Sequence, residues 1–112
     1  MDILEIIRNR RSVRQFKRKP VPKNIIKKIL EAGRWAPSGL NNQPWRFLII
    51  KNKTSLAKFL EEEFNIHQVP VLILVLLEQN SSYHREKDLM AMGACIQNMC
   101  LQAHSLEIGS CW

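Results

Sequence analysis

Two prolines set the strongest constraint on how this chain can fold. Pro37 and Pro44 lie within Ala36-Pro37-Ser38-Gly39-Leu40-Asn41-Asn42-Gln43-Pro44-Trp45, and each fixes its own φ while restricting the residue before it. An amphipathic run ending at Trp35 is therefore shut off, and an apolar run starts afresh at Trp45. Gly39 lets the backbone approach a neighbour closely. Between the prolines lie Ser38, Asn41, Asn42 and Gln43, a dense set of neutral donors and acceptors. That set suits a flat, uncharged, polar-edged ligand better than a metal or a phosphate. The same residue types also make ordinary turns.

On either side, the apolar periods name the elements. Ile3, Leu4, Ile6 and Ile7 form a narrow helical stripe over residues 1–9, with Asp2 placed where negative charge complements the helix dipole. A second helix is expected over about 22–35, with Ile25, Ile26, Ile29, Leu30 and Ala32 on one side. Pro22 suits its first turn and Pro37 closes it. Residues 45–50, aromatic and β-branched, predict a strand. A third helix over roughly 53–64 sets Leu56, Phe59 and Leu60 against Glu61, Glu62 and Glu63.

The continuous apolar run 71–77 predicts a strand buried on both faces. Asn80-Ser81-Ser82-Tyr83 then forms a loop and cap before a long helix over about 84–106. That helix is apolar almost all round after Lys87, which assigns it to a core or a subunit contact. Met92, Ile96, Met99 and Ala103 make one stripe, widened by Cys95 and Cys100. So small a domain has little else to cover both sides, and the helix is expected at the centre of a homodimer. The order of elements is an α/β plan in a single domain, residues 1–112, without internal repeats.

A formal charge of +7 requires nucleic acid or an acidic membrane face to be weighed. The lysines beyond residue 19 are scattered over polar helix faces, where solvation explains them. The basic run 8–19 holds one aromatic, Phe16, and no RNA-reading motif, so no nucleic-acid partner is expected. A hydrophobic fraction of 46% with 24% charged residues excludes disorder. Cys95, Cys100 and Cys111 have no metal-ligand spacing, and His67, His84 and His104 are widely separated, so no metal is expected. Asp2 and Glu5 interrupt any signal peptide. The run 71–77 is too short to span a bilayer. The expectation is a soluble cytoplasmic protein with reduced thiols and no membrane partner.

A second polar stretch, Arg10-Arg11-Ser12-Val13-Arg14-Gln15-Phe16, precedes Pro20-Val21-Pro22. Its arginines and serine can clamp a phosphate through charge-assisted hydrogen bonds. Taken together and in this order, RRSVRQF, the P-V-P step and APSGLNNQPWRF resemble the N-terminal half of the nitroreductase family, FMN-dependent NAD(P)H oxidoreductases. The resemblance implies a mixed sheet flanked by helices, an intertwined homodimer, and FMN at the dimer interface. Carried over position by position, Arg10, Arg11, Ser12 and Arg14 would meet the FMN phosphate, ribityl chain and pyrimidine edge. Pro37, Ser38, Gly39 and Asn41 of the partner subunit would line the isoalloxazine, and Asn65 would be a further flavin contact. Gln43 and Trp45 match the motif as supports for the loop.

The implied activity is transfer of electrons from NAD(P)H through FMN to a small acceptor such as a nitroaromatic or quinone, in a ping-pong cycle. The flavin carries that chemistry, and no catalytic side chain is required. Consistently, the sequence has no HExxH, no GxGxxG and no Ser-His-Asp order. Family members normally continue beyond a segment like Gly109-Ser110-Cys111-Trp112, so the resemblance implies a C-terminally truncated domain with an open sheet edge. The alternatives are an inactive, dimerising interaction protein and, behind it, a basic nucleic-acid-binding module.

Overall fold

The computed structural model describes residues 1–63 and 69–112. In chain order it contains α1 (Ile3–Asn9), α2 (Lys23–Arg34), β1 (Trp45–Ile50), α3 (Lys53–Glu63), β2 (Leu72–Leu77) and α4 (Arg85–Ser105). Short 3-10 turns, Gly39–Asn41 and Gln79–Ser81, precede β1 and α4. The expected order and element types hold, with ends displaced by a residue or two.

Local chemistry explains the helix starts. Asp2 caps α1 by accepting from the Glu5 N–H at 2.9 Å, while Glu5 reaches back to the Asp2 N–H at 3.2 Å, a reciprocal pair that satisfies otherwise orphaned donors. Asn52 caps α3 from one side only, its Oδ1 accepting from the Thr54 and Ser55 amides at 2.9 and 3.2 Å.

The core forms where α2 lies against α4. Ile26, Ile29 and Gly33 are buried on α2, and Ala91, Met92, Cys95, Met99, Cys100 and Ala103 are buried on α4. Gly33 permits the close crossing, because a Cβ there would stand 2.8 Å from Met99 Cγ and 3.0 Å from Cys95 Sγ. Asn98 Nδ2 adds a hydrogen bond to the Ala32 carbonyl at 3.0 Å. Within the expected stripe, Met92, Met99 and Ala103 are buried in this chain's own core while Ile96 is half-buried, so most of the stripe is not free for a second subunit. The apolar face of α2, with Ile26 and Ile29 buried, supplies the cover.

Among the described residues, β1 and β2 form a two-stranded antiparallel sheet, with register from Trp45↔Leu77 to Ile50↔Leu72. Trp45, Phe47, Val75 and Leu77 face the core, with Trp45 buried. Leu48 and Leu76, on the opposite face, are 49% and 46% exposed. No residue of β2 is fully buried and Leu76 is exposed, so the strand is not buried on both faces as its apolar run predicts.

α4 ends in a Schellman turn. The Ile108 N–H reaches the Ala103 carbonyl at 2.9 Å and the Glu107 N–H reaches His104 at 3.0 Å. Glu107 occupies the left-handed position, at φ 61°, which glycine usually takes. The turn sends residues 108–110 back toward the N-terminal segment. There Ser110 accepts from the Val13 N–H at 2.9 Å, and Ser12 and Ser110 form an isolated parallel bridge.

Candidate functional site

The residues singled out from sequence fall into two places. The first is the segment after α1. Arg10 follows the helix, its N–H bonded to the Ile6 carbonyl, and its Nε is buried with no partner. Arg11 turns back, Nη1 donating to the Arg8 and Arg10 carbonyls at 2.6 and 2.8 Å. Ser12 and Arg14 are exposed. The tail holds this strip in place at Ser12 and Val13. Among the described residues no carboxylate pairs with Arg10, Arg11 or Arg14. Three cations thus lie within five residues with no carboxylate partner among the described residues.

The second place is the loop between the prolines. Leu40, Asn41 and Gln43 all have left-handed backbones, at φ 55°, 54° and 47°. Non-glycine residues at such angles are strained and persist only when their surroundings enforce them. Ser38 Oγ accepts from the Gln43 N–H at 3.1 Å, and Gln43 Nε2 donates to Asn41 Oδ1 at 3.1 Å, so Gln43 braces the loop. Pro37 and Asn41 are exposed, Ser38 and Gly39 half-buried. Beyond the loop, Glu78 pairs with Arg46, and its N–H bonds to the Pro44 carbonyl at 2.8 Å.

Gly39 is needed for space, not for φ. A Cβ there would lie 1.7 Å from the Tyr83 hydroxyl oxygen, so the neighbour that approaches closely is a tyrosine of the same chain. Tyr83 belongs to a cluster that the sequence reading missed. Asp88, in the first turn of α4, is fully buried. It accepts from Ser82 Oγ, from Asn42 Nδ2 at 2.7 Å, and from the Tyr83 and His84 amides at 3.2 and 3.3 Å. The Ser82 hydroxyl foremost, then Asn42 and the two amides, hold its pKa below the usual carboxylate value against the opposing effect of burial. Asn42 Nδ2 also donates to the Ser81 carbonyl at 2.9 Å. Asp88 shares the first turn of α4 with Glu86, an ordinary place for acidic residues, so no local signal marks it.

No hydrogen bond or ion pair joins the arginine strip to the loop among the described residues. Asn65, the remaining candidate, lies outside them. An open groove of about 290 Å³, lined by Ile3, Ile6, Trp35 and Leu101 among others, shares no residue with either cluster. Among the described residues no group of three or more His, Cys, Asp or Glu side chains is placed to hold a metal ion, and no helix is long and apolar enough to cross a membrane. All three cysteines are free thiols.

The strained polar loop before β1 and the arginine strip after α1 are the two stretches on which the family resemblance rests. The model of the nitroreductase family matches residues 7–65 and 60–112, and the chain belongs to that family. It is 35% identical over 117 residues to a Methanothermobacter thermautotrophicus protein provisionally named NADH dehydrogenase/NAD(P)H nitroreductase, covering all of this chain and 60% of that one. A provisionally named nitroreductase from Desulfovibrio desulfuricans, solved in complex with FMN, superposes with a TM-score of 0.86 at 43% identity, over 96% of this chain and 64% of that one. A Bacteroides fragilis nitroreductase with bound FMN gives 0.85 at 31% identity, over 100% and 69%. The chain thus spans about two thirds or less of the length of these relatives.

Proposed function

We propose that this chain works as an FMN-dependent oxidoreductase of the nitroreductase type. Bound FMN would supply the redox chemistry, accepting hydride from NAD(P)H and then reducing a small acceptor such as a nitroaromatic or quinone in a ping-pong cycle. The observation that carries the reading is the arginine strip. Arg10, Arg11 and Arg14 have no carboxylate partner among the described residues, and Arg10 Nε is a buried donor left unmatched. That donor set fits a phosphate ester. Exposed Ser12 adds a hydroxyl beside it. The loop suits the other part of the same molecule, since exposed Pro37 and Asn41 with half-buried Ser38 and Gly39 would offer a neutral polar surface to an uncharged ring system. The two relatives solved with FMN support the choice of cofactor.

The arginines would orient the phosphate and favour extra negative charge on the ligand, while Pro37, Ser38, Gly39 and Asn41 would cover the ring face. Because no bond among the described residues joins the strip to the loop within one chain, a homodimer that sets one copy's loop against the other's arginines would unite them. Met90 at 74% exposure and Leu89 at 47% offer an apolar contact on the outer side of α4. A monodisperse monomer in sedimentation, at concentrations where FMN is bound, would refute the dimer. Free thiols suit a cytoplasmic location, which cell fractionation checks.

The deciding experiment is FMN titration by fluorescence quenching with Arg14→Ala and with Arg10→Ala/Arg14→Ala. Each charged contact is worth about 1.5–3 kcal/mol, so binding should weaken roughly ten- to a hundredfold per arginine. Unchanged affinity in a double variant with native circular dichroism would overturn the assignment.

A further inference from the structure

We propose that Asp88 is a positioning residue that sets the shape of the loop at residues 38–43 from behind, without touching ligand. The inference rests on the flavin reading only for the loop's use, not for how it is held. Asp88 is fully buried, and all four donors to its oxygens come from outside its own helix. One is Asn42 of the loop; the others are Ser82, Tyr83 and His84 of the turn before α4. The carboxylate therefore fastens two separate chain segments to the start of α4. A neutral amide at this position would turn its own N–H groups toward one of these donors, so the ionised acid is the side chain that satisfies all four.

The loop needs such a clamp. Its three left-handed residues, Leu40, Asn41 and Gln43, would relax toward ordinary backbone angles if released. Asp88 restrains them by two routes. Directly, it holds Asn42, which sits among the three. Indirectly, it holds the Tyr83 backbone, whose ring carries the hydroxyl packed on Gly39. The Asn42 amide shows the direction of the constraint. Its nitrogen satisfies Asp88 and the Ser81 carbonyl, while its oxygen is buried without a partner. The tip stays outside this network, with Leu40 84% exposed and Asn41 exposed, so what the clamp fixes is the surface offered to a ligand.

The test uses a nitroxide at the tip, Leu40→Cys in a Cys111→Ser background, read by electron paramagnetic resonance without flavin. The parent should give a restricted line shape. Asn42→Ala, which leaves Asp88 with its three turn donors, and Asp88→Asn should both give a mobile one, with native circular dichroism. In the same variants the FMN dissociation constant should rise tenfold or more, and the double variant should be no worse than Asp88→Asn alone. Should Asp88→Asn fail to fold, Asn42→Ala decides. A line shape that stays restricted in the folded variants overturns the proposal. A mobile tip with unchanged FMN affinity upholds the clamp and overturns the reading of this loop as a flavin-facing surface.

Discussion

Gly33 is where the packing of this protein can be tested most sharply. Replacing it with alanine inside α2 gains about 1 kcal/mol of helix propensity. Against that, the new methyl would stand 2.8 Å from Met99 Cγ, and 3.0 Å from both Met99 Sδ and Cys95 Sγ. Neither neighbour can swing into solvent, because Met99 is 7% exposed and Cys95 is fully buried. Met99 Cγ is also close to its own backbone, so relief requires a rotamer change or a separation of α2 from α4. Overpacking of this kind costs about 1–3 kcal/mol. The steric effect wins, and Gly33→Ala should destabilise by about 1 kcal/mol net. Met99→Ala alone should cost about 2–5 kcal/mol through its cavity. In the double variant the methyl enters vacated space, so the loss should fall short of the sum by about 1 kcal/mol or more. Urea unfolding followed by tryptophan fluorescence reports this well: Trp45 is 4% exposed, whereas Trp35 and Trp112 are already 80% and 73% exposed. Additivity within about 0.5 kcal/mol, or a Gly33→Ala variant more stable than its parent, would refute the close crossing of α2 and α4.

Other outcomes follow from single groups. Asp88 is harder to protonate folded than unfolded, so the unfolded chain binds more protons as pH falls below about 4. Its stabilising effect is complete above that range and lost below it; urea midpoints between pH 5 and 3 should fall more steeply for the parent than for Asp88→Asn, and equal slopes would contradict this. Burial raises the Cys95 thiol from 9.0 to about 11, so stability present below pH 9 should drain away toward pH 11, and less so in Cys95→Ala. At pH 8 a thiol reagent should label exposed Cys111 rapidly, and buried Cys95 and Cys100 only in denaturant. Glu107→Gly should raise stability by about 0.5–1 kcal/mol, because glycine takes the left-handed turn after α4 without strain; an unchanged urea midpoint would count against that strain.

The secondary structure was legible because its causes are local. Pro37 and Pro44 break the chain wherever it goes, and the spacing of Ile25, Ile26, Ile29 and Leu30, or the run from Val71 to Leu77, specifies a face or a strand through neighbours alone. The arginine strip and the polar loop were legible as well, since each is contiguous in sequence. What covers a face was not. The stripe Met92, Met99 and Ala103 has the same period whether α2 or a second subunit buries it, and only the crossing at Gly33 decided for α2. The strand at 72–77 is equally apolar with one face covered or two. The clamp was invisible for the same reason: Asn42 and Asp88 lie 46 residues apart, and nothing local to either distinguishes a turn asparagine or a first-turn acid from its ordinary use. Periodicity encodes which side chains point the same way, because that depends only on the backbone repeat. Which groups meet across the fold depends on how the elements are laid against one another, and that is settled only when the whole chain packs.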